Sequence, residues 1–97
     1  MSRFPSRRAL IDLMSRFVLF QDPWCPFCSR VTRFLDSNQY SLPMRNVAQD
    51  HDAYRELVEG GGRGTVPCLR IQQEDGSYRW LYESIDIINF LKVELAS

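Results

Sequence analysis

The chain has 97 residues, 44% hydrophobic and 12% aromatic, which suits one domain with a sizeable core and is too short for two. Twelve basic residues balance twelve acidic ones, for a formal net charge of zero. That balance removes any bulk electrostatic drive toward nucleic acid or an anionic membrane, and no apolar run approaches the roughly 18 residues of a spanning helix.

At the N-terminus, Arg7 and Arg8 precede Ala9-Leu10-Ile11, and the apolar stretch stops at Asp12 with no small-x-small cleavage site after it. Residues 1–15 are therefore expected to form an extension, a short amphipathic turn or a loose leader, ahead of a domain over 16–97. Phe17 to Gln21 is short, aromatic and β-branched, and reads as a buried strand ending before Asp22-Pro23. From Pro26 to about Asp36, Phe27, Val31, Phe34 and Leu35 fall at helical spacing, with Arg30 and Arg33 on the other face. Pro26 suits the first helical turn, where its missing N–H does no harm. Pro43 to Val47 reads as a second strand.

Asp50 to Glu59 predicts a helix, capped by Asp50 or Asp52 and stopped at Gly60-Gly61-Gly62. Val66 to Gln72 is a third strand. Asp75-Gly76 marks a hairpin turn, and Tyr78 to Tyr82 returns as a fourth strand. Ser84 is a good N-cap for a closing helix with a stripe of Ile85, Ile88, Leu91 and Leu95. The order β-α-β-α-β-β-α is an α/β arrangement. It joins a right-handed parallel βαβ unit to an antiparallel hairpin, giving a four-stranded mixed sheet flanked by helices.

The cysteines are Cys25, Cys28 and Cys68. An odd number on an ordinary globular composition does not look like a secreted disulfide framework, so a reducing, cytoplasmic compartment is expected and any disulfide would be transient. Cys25-Pro26-Phe27-Cys28 follows a strand and opens a helix, a more specific signal than Cys-x-x-Cys alone. Exchange needs a thiolate, and a helix N-terminus offers free N–H groups and the positive end of its dipole. Cys25 is thus the expected attacking thiol. Cys28, one turn further in, is the expected resolving thiol.

Thr65-Val66-Pro67 opens the third strand, with Pro67 a candidate cis residue. The Val66 backbone groups would then face the Cys25 sulfur and pair with an extended peptide. Trp24 is expected to be exposed beside Cys25, in reach of a substrate, whereas Phe27 serves the site or the helix packing. Tyr82 and Cys68 are expected in the core, and His51 on the solvated surface. A zinc site would want a second cysteine pair that the chain lacks, so no metal is expected.

CPFC at 25–28, TVP at 65–67 and Glu83-Ser84 together resemble the glutaredoxin family over about residues 16 to 95. The phrase YESIDIINFL looks more like the N-terminal domain of glutathione transferases. Both families imply a thioredoxin-like fold. The resemblance implies glutathione as co-substrate, with Cys25 forming the mixed disulfide, Val66 pairing with the cysteinyl backbone, and Trp24, Thr65 and Pro67 completing the glutathione site around them. Glu83 and Ser84 would hold the α-amino and α-carboxylate groups, and Arg63 the glycine carboxylate. It further implies a monomeric enzyme of cell redox homeostasis and electron transport, acting on disulfide-containing or glutathionylated proteins.

The alternatives are a glutathione-binding, transferase-like domain without redox turnover, an iron–sulfur cluster carrier, or a thioredoxin served by its reductase. One departure stands out. Family members often carry lysine three residues before the first cysteine, where this chain has Asp22. A carboxylate there would oppose the helix effect on Cys25 unless it points away or an arginine such as Arg63 compensates.

Overall fold

The computed structural model describes residues 7–95; residues 1–6 of the expected extension and residues 96–97 lie outside them. The first element is a helix, α1 (Arg7–Met14), where a turn or loose leader was expected. Met14 is buried in the main core and Leu13 packs beside it, so apolar burial holds this short helix rather than intrinsic propensity. Next come β1 (Phe17–Gln21), α2 (Pro26–Ser37), β2 (Met44–Asn46) and α3 (His51–Glu56). The hairpin strands β3 (Cys68–Gln72) and β4 (Tyr78–Tyr82) lead into α4 (Ser84–Leu95).

The strands form one mixed sheet in the order β2-β1-β3-β4. β1 runs parallel to β2, with Phe20 opposite Arg45, and antiparallel to β3, with Phe20 opposite Cys68. β3 and β4 are antiparallel and place Cys68 opposite Tyr82. The expected α/β architecture is therefore present, with helices on both faces.

Strand alternation divides the apolar residues between those faces. Phe17, Leu19, Leu69 and Ile71 join Val31 and Leu35 of α2 and Ile87, Leu91 and Leu95 of α4 in the larger cluster. Phe20, Cys68 and Tyr82 turn the other way, to Ala53 and Leu57 beneath α3. The smaller cluster lies at the end of the sheet where β1 finishes and β3 begins.

Three local expectations need correcting. In α2 the buried positions are Cys28, Val31 and Leu35, while Phe27 is 58% exposed. In α4 the buried positions are Ser84, Ile87, Leu91 and Leu95, and Ile85 is 59% exposed. Packing in the larger cluster selects this face, and Ser84 already belongs to the helix. Its first intrahelical bond runs from the Ile87 N–H to the Glu83 carbonyl at 3.0 Å, which makes Glu83 the cap position. Finally, α3 is α-helical only to Glu56. Leu57–Gly61 widens into a π-helical turn, and Gly62 ends it at φ 88° in the left-handed region that glycine tolerates. Asp50 is the cap of α3, its carboxylate accepting from the N–H of Asp52 (3.0 Å) and Ala53 (3.2 Å).

Candidate functional site

The loop between β1 and α2 is tied by one residue. The Asp22 carboxylate accepts the Trp24 N–H at 2.9 Å, and the Asp22 carbonyl accepts the Cys25 N–H at 3.0 Å. This turn delivers Cys25 to the cap position of α2, where its carbonyl receives the Ser29 N–H at 3.1 Å. No side chain occupies the cap itself, so the Cys25 thiol stands at the open N-terminal end of a twelve-residue helix.

Cys25 is half-buried, whereas Cys28 is fully buried one turn deeper. Burial pushes the Cys28 thiol up to about 12. The neighbouring Cys25 and the Asp22 carboxylate push the same way, against a hydrogen bond from the Asp22 backbone. The two thiols thus differ in access as the sequence order suggests, with the outer one at the helix end.

Across the gap, the Val66–Pro67 peptide is cis. The Cys25 S–H donates to the Val66 carbonyl with Sγ and O 3.8 Å apart. Beside this pair opens a cleft of about 240 Å³ that brings together Arg63, Thr65, Val66, Pro67, Glu83 and Ser84. These six were singled out from separate parts of the sequence, and the fold gathers them. Its remaining walls are Phe27 and Tyr82. Trp24 stands outside the cleft at 90% exposure, adjacent to Cys25 in the chain.

The cleft is lined by one acidic and one basic side chain, Glu83 and Arg63. Glu83 has φ 74°, an uncommon conformation for a side chain with a Cβ, and it begins the first turn of α4. A carboxylate there can meet an ammonium, while the open N–H groups at the start of a twelve-residue helix suit a carboxylate. Arg63 supplies the cation, its guanidinium lying over the Tyr82 ring 4.2 Å from the centroid.

Sequence reasoning assigned Tyr82 to the core, and its ring does belong to the smaller cluster. Its hydroxyl reaches the site all the same. It accepts the Arg63 N–H at 3.3 Å and donates to the Arg63 carbonyl at 2.9 Å. A Cβ on Gly61 would lie 2.0 Å from that hydroxyl, so glycine there leaves the space the hydroxyl fills. The position directly before Glu83 was the available signal.

Cys68 follows Pro67 and turns away into the smaller cluster with no exposed surface. Burial pushes its thiol up to about 12, against a hydrogen bond with Tyr82 and the Arg63 charge. Among the described residues, no group of three or more His, Cys, Asp or Glu is placed to hold a metal ion.

The two buried thiols set a pH dependence. In the unfolded chain each ionises at its ordinary value of 9.0, and in the folded chain only near 12. In that window the unfolded state releases protons that the folded state keeps. The stabilising contribution is therefore complete below pH 9 and is lost as pH rises toward 12, by up to about 1.4 kcal/mol per pH unit for each thiol. Urea unfolding of the reduced protein between about pH 8 and about pH 10.5 should show this decline, and Cys68→Ala should shallow it. An identical slope in Cys68→Ala would mean Cys68 ionises in place.

A family model described as Glutaredoxin matches residues 17–75. Among curated proteins, the mouse (Mus musculus) prostaglandin E synthase 2 is 37% identical over 82 residues. That is 84% of this chain but 20% of the mouse protein's length. Among solved structures, a buckwheat glutaredoxin–glutathione complex superposes with a TM-score of 0.62 at 20% identity, covering 95% of this chain and 91% of that one. A trimeric glutathione transferase, Leishmania TDR1, superposes with a TM-score of 0.63 at 28% identity, over 78% of this chain and 17% of its own. The fold they share with this chain is thioredoxin-like.

Proposed function

The chain belongs to the glutaredoxin family, and we propose that it is a glutathione-dependent thiol–disulfide oxidoreductase with Cys25 as nucleophile and Cys28 as resolving thiol. The observation that carries this reading is the placement of the Cys25 sulfur at the start of α2. It sits 3.8 Å from the carbonyl of Val66, which lines a cleft together with Arg63, Glu83 and Ser84.

The Cys25 thiolate attacks the glutathione sulfur of a protein–glutathione mixed disulfide. The old S–S bond breaks, the protein thiolate leaves and takes a proton, and Cys25 holds glutathione as a disulfide. A second glutathione thiolate then attacks that sulfur, releasing oxidised glutathione and the Cys25 thiolate. On a protein disulfide, Cys25 forms a mixed disulfide with the protein. Cys28 loses its proton and attacks the Cys25 sulfur, freeing the protein dithiol and closing Cys25–Cys28. Two glutathione molecules reopen that bond and leave as one disulfide, so each turn transfers two electrons.

The cleft supports glutathione as the reductant. Glutathione carries an ammonium and a carboxylate at one end and a lone carboxylate at the other. Glu83, the α4 N-terminus and Arg63 match those charges in sign. The backbone of Val66 would pair with the cysteinyl residue, and Trp24 would touch the protein substrate. The three thiols, all free, suit a reducing compartment such as the cytoplasm, and a monomer suffices for the reaction.

A second reading is favoured by the 37% identity to a synthase and by Glu83-Ser84 at the head of α4. On it, the domain binds glutathione without redox turnover. A glutathione-coupled assay on a glutathionylated peptide decides between them. Turnover that requires glutathione is the expected result. Glutathione binding without turnover would replace the first reading by the second, and turnover only with thioredoxin reductase would overturn both.

A further inference from the structure

We infer that Tyr82 is a positioning residue: it holds Arg63 on the cleft wall, so that the site distinguishes glutathione from a ligand lacking the glycine carboxylate. The inference rests on the glutathione reading above and adds to it a residue and a specificity.

Arg63 needs such a partner. It lies between Gly62 and Gly64, after Gly60 and Gly61, in a loop with little conformational restriction of its own. An arginine side chain loses about 2 kcal/mol of rotamer freedom when fixed, and a glycine-rich backbone adds to that cost. A cation so placed binds a carboxylate poorly unless something else orders it first.

Tyr82 orders it through three contacts. Its hydroxyl takes up both backbone groups of Arg63, accepting the N–H at 3.3 Å and donating to the carbonyl at 2.9 Å. Its ring lies beneath the guanidinium, 4.2 Å from the centroid, an attractive cation–π arrangement that leaves the guanidinium edge free to form a fork with a carboxylate. The ring itself is fixed in the smaller cluster by Phe20, Leu57 and Cys68.

The next residue along the chain is Glu83, which lines the same cleft. One strand end therefore carries both the ring that holds the cation and, one residue on, the carboxylate. Gly61 completes the device, because a Cβ there would occupy the place of the hydroxyl.

A purely structural tyrosine would behave differently. Its loss would lower stability and affect every ligand alike. A positioning tyrosine acts on the ligand end that Arg63 meets. The test uses the full chain carrying Cys28→Ser, in which Cys25 can hold a mixed disulfide that no internal thiol removes. Oxidised glutathione exchanges with the Cys25 thiol, giving the Cys25–glutathione disulfide and one free glutathione. The equilibrium is read by intact mass. It is repeated with the disulfide of γ-glutamylcysteine, which lacks the glycine.

Tyr82→Phe keeps the ring and its stacking but removes both backbone bonds. It should weaken the glutathione adduct about fivefold relative to free thiols and change the γ-glutamylcysteine adduct less than about twofold. In an Arg63→Gln background the effect of Tyr82→Phe on glutathione should vanish, because the two act as one unit. Thermal unfolding confirms that the Tyr82→Phe chain is folded, and Gly61→Ala, whose Cβ displaces the hydroxyl while the tyrosine is kept, serves if it is not.

Equal weakening of both adducts, or full additivity with Arg63→Gln, overturns the role of Tyr82 and leaves the glutathione reading intact. Failure of oxidised glutathione to form any adduct with Cys25 while Tyr82 is present overturns that reading, and the inference with it.

Discussion

Cys25→Ser is expected to abolish reduction of a glutathionylated peptide, by at least about a thousandfold, while Cys28→Ser retains a substantial part of it. The asymmetry follows from the placement of the two sulfurs. Cys25 is half-buried, ends the loop fixed by Asp22, caps the N-terminus of α2 and bonds the carbonyl of Val66, a residue of the cleft. A serine hydroxyl there is a far weaker nucleophile than a thiolate at neutral pH. Cys28 is buried, and with its thiol pushed up to about 12 it is protonated at neutral pH and inaccessible to an outside disulfide. Its use is intramolecular, against a sulfur on Cys25, where proximity offsets the small thiolate fraction.

A second glutathione can do the same work on a mixed disulfide, so Cys28→Ser should keep that activity. It should lose most of its activity on a protein disulfide, where the internal thiol must displace the protein. Steady-state assays with both substrate types check the pair. Full activity in Cys25→Ser would end the mechanism, and equal loss in both variants on the glutathionylated peptide would remove the division of roles.

Legibility in the sequence depended on how far a feature is fixed by its neighbours in the chain. β1, the Cys-x-x-Cys turn and the Asp75-Gly76 hairpin are local, and the Gly76 N–H does bond the Gln73 carbonyl at 3.0 Å with Gly76 at φ 88°. Five of the six assigned cleft residues lie in two short motifs, Thr65-Val66-Pro67 before a strand and Glu83-Ser84 at a helix start, and Arg63 was the cation next to the first of them. The buried face of α4 was not readable, since packing against distant strands decides it. Both stripes share Leu91 and Leu95, and the sheet accepts the one with Ser84 and Ile87 and leaves Ile85 exposed.

Likewise α1 is held by burying Met14 in a core assembled from distant segments. The fate of Asp22 also needed coordinates. Its carboxylate is spent on the Trp24 amide within the loop, and its charge adds to the upward push on Cys28. Tyr82 was half legible. Its apolar ring marked it as core, but nothing in the sequence places its hydroxyl nineteen residues back on Arg63.

Phe20→Ala should be among the most destabilising single changes, costing about 3–5 kcal/mol. Phe20 has no exposed surface and faces the smaller cluster, where its ring meets Trp80 at 5.4 Å between centroids. Ala53, Leu57, Cys68 and Tyr82 complete the buried set, so deleting one ring removes a large share of its apolar contact. The surrounding elements have little freedom to close the gap. β1 is locked between β2 and β3, with Phe20 paired to Arg45 on one side and Cys68 on the other. Arg45 and Arg70 also lie 5.8 Å from the Phe20 centroid and would keep their ion pairs with Glu56 but lose the ring beneath them. A domain of this size has about 5–15 kcal/mol in total, and each kcal/mol shifts its Tm by roughly 4–8 °C. A fall of at least about 12 °C in thermal unfolding is therefore expected. Phe27→Ala, at an exposed site one helix away, should stay within about 0.5 kcal/mol and serves as the control. A loss under about 1 kcal/mol for Phe20→Ala would mean that α3 collapses onto the sheet and that the smaller cluster is not close-packed. If the larger value is found, the same cavity should expose Cys68 to a thiol reagent in the folded state. It should also loosen Tyr82, because one cluster supports both the sheet and the cleft wall.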